Sequence, residues 1–124
     1  MDIQSCGYKG DIKDTGFGYT LSLIGGKYKM LVLYALYINN EPIRYNELKR
    51  ALGKISFKSL TNTLKELEYD QLIYRKEYPQ VPPKVEYSLS DQGLSLIPVL
   101  DTICDWGEKR LEDKQNIMRE KLNK

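Results

Sequence analysis

The chain has no histidine. That removes imidazole acid–base catalysis, Ser-His and Cys-His dyads, and zinc sites with histidine ligands. It has two cysteines, Cys6 and Cys104, far apart and without C-x-x-C spacing. No G-x-x-x-x-G-K-[ST], G-x-S-x-G or G-x-G-x-x-G pattern occurs. Gly25-Gly26 and Gly16-x-Gly18 are too short for phosphate loops and read as helix ends and turns. No apolar run reaches transmembrane length, and the N-terminus lacks the apolar core of a signal peptide. The expectation is a cytoplasmic protein that is no enzyme, uses no cofactor or metal and enters no membrane.

What is present is ordinary in bulk and uneven in detail. With 124 residues, 41% hydrophobic and 29% charged, the chain is sized for one globular domain. Net charge is only +2. Between Arg44 and Lys65, however, six basic residues (Arg44, Lys49, Arg50, Lys54, Lys58, Lys65) face one acid, Glu47. Such a local basic patch is the footprint expected of phosphate contact, although a solvated charge run gives the same count.

The segment from Ile55 to Glu68 carries the sharpest signal. Phe57, Leu60, Leu64 and Leu67 recur at helical spacing and predict one apolar stripe. Lys58, Asn62 and Lys65 then fall on the opposite side, flanked by Ser59 and Thr61, and Ser56 is placed as the N-cap. Asn pairs bidentately with adenine, Lys reaches guanine or phosphate, and Ser and Thr meet either. The plainer reading is a surface helix with a polar face. The neighbouring elements favour the first.

Upstream, Tyr19 to Ile24 reads as a short helix closed by Gly25-Gly26. Lys27 to Tyr37 reads as a core helix bearing Met30, Leu31, Val32, Leu33 and Leu36. Ile43-Arg44 suggests a minimal strand, and Tyr45 to Leu52 a short helix burying Leu48, Ala51 and Leu52. Downstream the period changes to two. Ile73 to Tyr78 and Lys84 to Leu89 predict a hairpin with a proline-rich tip, Val85, Tyr87 and Leu89 sharing one face. Ser90 is placed to cap one long helix from Asp91 to about Leu111, kinked at Pro98. Leu94, Ile97, Leu100, Ile103, Cys104 and Leu111 supply its apolar positions.

Short helix, turn and polar-faced helix make a helix-turn-helix, and the hairpin is its wing. The fold class is mainly α with a β-hairpin wing: a winged helix-turn-helix over 15–111, a flexible arm over 1–14 and a charged helical tail over 112–124. Arg75, Lys76 and Lys84 stand on the wing, where they reach DNA backbone or an adjacent minor groove. The alternative is that Arg75 and Lys76 only keep strand edges soluble.

Several runs carry a family resemblance: Leu23-Ile24-Gly25-Gly26-Lys27-Tyr28-Lys29, Ile43-Arg44-Tyr45-Asn46-Glu47-Leu48, Leu64-Lys65-Glu66-Leu67-Glu68, Tyr78 to Leu89, and Pro98-Val99-Leu100 before Asp105-Trp106-Gly107. In these the chain resembles the HxlR family of winged-helix bacterial transcriptional regulators. The resemblance implies a homodimer whose N- and C-terminal helices form the interface. It also implies a pseudo-palindromic operator read by two recognition helices, with regulation often answering thiol-reactive or electrophilic stress. It assigns DNA contact to Ser56, Lys58, Ser59, Asn62, Lys65, Lys76 and Lys84.

Two positions depart from the family pattern. Tyr28 stands where the family usually has Trp, and Thr15-Gly16 where it often has Cys-Pro. Cys6 lies further toward the N-terminus, near Tyr8 and Lys9. A nearby cation favours the thiolate, which makes Cys6 the candidate redox sensor; an incidental exposed cysteine is the alternative. Cys104 reads as an inert core or interface cysteine. A winged helix that serves protein–protein association without DNA is the competing function.

Overall fold

A computed structural model of the chain describes residues 10–123. Cys6 lies outside the described residues. Helix α1 spans Gly16–Ile24, α2 Lys29–Asn39, α3 Tyr45–Leu52 and α4 Phe57–Tyr69. Strand β1 is Ile43–Arg44, β2 Ile73–Tyr78 and β3 Lys84–Leu89; α5 (Asp91–Ser95) and α6 (Ile97–Leu122) complete the chain. Two compact units result, one ending at Leu94 and the other running from Ser95.

Before α1, Ile12–Asp14 form a 3-10 turn within the span expected to be a loose arm. Thr15 then caps α1, its hydroxyl oxygen accepting from the Gly18 amide at 3.1 Å. Helix α2 supplies much of the core through Val32, Leu33, Ala35 and Leu36, all buried. Leu31, expected inside, is half exposed. Asn40 ends α2 in the left-handed conformation, a role suited to asparagine.

The turn between α3 and α4 depends on Gly53, whose φ of 76° penalises any side chain. Leu48 of α3 is fully buried, whereas Ala51 is exposed and Leu52 only half-buried, so this helix buries less than its sequence suggests. On α4 the buried set is Leu60, Thr63, Leu64 and Leu67. Thr63 replaces Phe57 in the expected stripe. Its hydroxyl donates to the Ser59 carbonyl at 2.7 Å, which satisfies the polar atom and makes its burial tolerable. Phe57, at the first helical position, is 68% exposed.

The three strands pair antiparallel in the order β1-β3-β2. Ile43 faces Tyr87, and Arg44 faces Glu86, which in turn faces Lys76. Ser90 closes the hairpin onto the next helix. Its amide donates to the Leu72 carbonyl (3.1 Å), its hydroxyl donates to the Gln71 carbonyl (2.6 Å), and its oxygen accepts from the Gly93 amide (3.0 Å). Gly93 is buried against that junction, and a Cβ there would collide with the Leu72 carbonyl oxygen.

The kinked long helix expected from Asp91 is two helices. The chain breaks at Leu96, and α6 starts at Ile97 with Pro98 in its first turn. There the missing N–H has no intrahelical partner to lose, so proline starts the helix rather than bending it. Helix α6 runs 26 residues, about 39 Å, taking in most of the charged tail. Among the described residues no single helix is long and apolar enough to cross a membrane. The pair α1 and α2 together would be long and apolar enough, but it is bent by 73°.

Candidate nucleic-acid interface

The polar face of α4 is held open by ties on both its flanks. On one flank the Tyr45 hydroxyl donates to the Phe57 carbonyl at 3.0 Å and meets the Thr61 hydroxyl at 3.1 Å. On the other, Lys29 of α2 pairs with Glu66 at 3.3 Å. That pair draws one of the α4 acids toward α2. Between the two flanks Lys58, Asn62 and Lys65 are exposed and follow one another at i, i+4 and i+7. Their side chains make no hydrogen bond or ion pair among the described residues.

The neighbouring hydroxyls are engaged in the fold. Ser56 accepts from the Ser59 amide at 3.0 Å and so fulfils its expected capping role. It remains exposed, with its O–H available to donate. Ser59 is half-buried. Thr61, expected at the DNA face, is half-buried and turned toward Tyr45. Tyr45 itself carried no functional expectation. Only the pairing of Tyr45 with the first turn of α4, a tertiary contact, reveals its role.

The wing separates residues that sequence order grouped together. Successive side chains on a strand point to opposite faces, and directly opposed residues share one. Arg44, Lys76, Tyr78, Lys84 and Glu86 therefore fall on one face of the sheet. Lys76 and Lys84 both sit over the Tyr78 ring, at 4.9 and 4.7 Å from its centroid, and Lys84 lies 3.7 Å from Glu86. Arg75 falls on the other face with Ile73 and the buried Tyr87. There it pairs with Glu77 at 3.5 Å. A hydrogen bond with the Tyr87 side chain, aided by the Glu77 charge, holds its guanidinium above the ordinary arginine value against the opposing effect of burial. Arg75 thus lines a hollow with Glu68 and Asp91, on the sheet face opposite Lys76 and Lys84.

Arg44 instead joins the wing to α3. A groove of about 510 Å³ runs between them, lined by Arg44, Asn46, Arg50 and Lys84 with Glu47 on its wall. Asn46 and Arg50 were not among the expected contacts. The sequence signal for Arg50 was the basic run itself; Asn46 had none. The groove exists because β1 is hydrogen-bonded to β3 and brings the start of α3 beside the wing. Among the described residues no cluster of acids or cysteines could hold a metal ion.

Comparison with known proteins agrees with this geometry. A family model for HxlR-like helix-turn-helix proteins matches residues 23–115. An HTH-type transcriptional regulator of Halalkalibacterium halodurans is 59% identical over 105 residues, covering 82% of this chain and 92% of that protein. The HTH-type transcriptional regulator YdzF of Bacillus subtilis is 55% identical, covering 77% of this chain and 86% of its own length. Among solved structures, the redox regulator HypR in its oxidised form superposes with a TM-score of 0.71. It is 41% identical to this chain, covering 75% of it and 94% of HypR. The recognition-type helix, the three-stranded wing and the matched span together place the chain in the HxlR-like helix-turn-helix family.

Proposed function

We propose that the chain is a homodimeric, sequence-specific DNA-binding transcriptional regulator of the cytoplasm. In this reading α4 enters the major groove of a pseudo-palindromic operator, and the wing lies on the flanking backbone or minor groove. The observation that carries the reading is the open Lys58-Asn62-Lys65 ridge, with both flanks of its helix tied down. Asn62 is placed for a base edge, while Lys58 and Lys65 reach guanine or phosphate. Arg44, Lys76 and Lys84, on one face of the sheet, position the backbone. Arg75 contributes to the strand rather than to the contact.

The dimer is supported by apolar surface at both ends of the chain. Phe17 and Tyr19 on α1 are 67% and 63% exposed, and α6 exposes Ile103, Trp106, Leu111, Ile117 and Met118 along its length. Thiol response rests on the likeness to HypR, a redox regulator by name, and on Cys6. An electrophile or oxidant would be the effector.

The test is a fluorescence-anisotropy titration of the reduced protein against a duplex it enriches from a random pool and against a scrambled duplex, at two salt concentrations. Preferential binding that weakens steeply with salt is expected. Absence of binding to any duplex at low salt would favour the association module that uses no DNA.

A further inference from the structure

Phe57 and Tyr69, at the two ends of α4, are its large side chains that the core does not take, and Phe57 is the one at the N-terminal end. It is 68% exposed, on the first turn of the helix, between the Ser56 cap and Lys58. A single exposed apolar residue is unremarkable by itself. This one is fixed in place. Its ring packs on Tyr45 with centroids 5.1 Å apart and planes at 51°. The Tyr45 hydroxyl is anchored in turn to the Phe57 carbonyl and to Thr61. The Tyr45 ring backs the phenyl group, and the polar groups around it belong to the proposed DNA-reading face.

In a helix-turn-helix the N-terminal residues of the second helix meet base edges. Of the groups that base pairs present in the major groove, the apolar one is the thymine C5-methyl, and phenylalanine is among the side chains that contact it. We infer that Phe57 is a specificity-determining residue that packs on the C5-methyl of a thymine in each half-site. The inference rests on the proposed major-groove role of α4. It adds an apolar readout to the polar one of Asn62 and Lys58, and it assigns Tyr45 as the residue that positions Phe57.

The experiment replaces each thymine of the enriched duplex, one at a time, by deoxyuridine. That change removes the methyl and leaves every hydrogen-bonding group in place. The wild-type protein should lose about four-fold in affinity at one thymine per half-site, the effect of burying one methyl-sized group. Phe57→Ala should bind the unmodified duplex more weakly by a similar factor and be indifferent to the replacement there. Its thermal unfolding should remain cooperative and fall by no more than the loss of the partly exposed Tyr45 ring contact, because the side chain is outside the core. If no thymine shows an effect, or if Phe57→Ala keeps the wild-type preference for thymine, the inference fails while the DNA-binding reading stands. If the wild-type protein enriches no duplex, both fail.

Discussion

At Asn62 the question is what an exposed amide does on an otherwise well-tied helix. If it pairs with a base, Asn62→Ala should cost about 1–3 kcal/mol of binding and relax specificity at one position. Lys84→Ala should act differently. In the proposed complex its ammonium meets the DNA backbone from the wing, so affinity should fall on all sequences alike and the salt slope should drop by about 1. Arg75→Ala should leave the slope near its wild-type value, because that guanidinium is engaged with Tyr87 and Glu77 on the other face of the sheet. A slope change equal to that of Lys84→Ala would return Arg75 to the contact surface. In the Lys29–Glu66 pair the lysine side chain is mostly covered and the carboxylate is exposed to solvent, so the pair contributes only modestly to stability by itself. Its effect is on charge, since it holds a carboxylate near Lys29 beside the basic ridge.

At the scale of elements, the Ser90 junction is where the wing is joined to α5. Ser90→Ala removes a helix cap and leaves the Gln71 carbonyl without its donor, a loss of about 1–2 kcal/mol. Gly93→Ala drives a methyl into the Leu72 carbonyl and should cost about 1–3 kcal/mol. Leu64→Ala, in the centre of the α4 stripe, should cost about 2–5 kcal/mol. Chemical denaturation of the three variants checks these figures. Unchanged midpoints for Ser90→Ala and Gly93→Ala would mean that the junction is slack.

Most elements are legible in the sequence because each has a local cause. Ser56 and Ser90 cap, Gly53 turns, and the alternation of Lys84 to Leu89 is a strand. The misses share a different origin. Phe57 satisfies the helical period, yet the buried stripe of α4 ends short of its first turn, and periodicity carries no information about where a core stops. Arg75 and Lys76 are adjacent in sequence and on opposite faces in the sheet, which only the pairing register displays. Pro98 disrupts a helix interior but not a first turn, and its effect depends on a helix start that no cap residue announced. Tyr45 acquires its role from a bond to a residue 12 positions later in the chain.

At the scale of the molecule, the proposed dimer makes its own demand. Ile103→Glu combined with Ile117→Glu places two charges on the exposed apolar length of α6. By sedimentation the variant should be monomeric, and operator affinity should fall by more than 100-fold as one half-site is lost. A dimer of unchanged stability would put the interface elsewhere. Thiol response is separable from both. Diamide should change the affinity of the wild-type protein and leave Cys6→Ser unmoved; an equal response in both would exclude Cys6 as the sensor.

In the proposed function the Lys58-Asn62-Lys65 ridge reads sequence. The most direct measurement is the ratio of affinities for the enriched and scrambled duplexes, taken at fixed salt for the wild-type protein and for Lys58→Ala/Asn62→Ala. The ratio should collapse toward one in the double variant, with fold and dimer intact. A ratio equal to wild type would mean that sequence is read by another surface, and that the exposed ridge of α4 is only a solvated helix face.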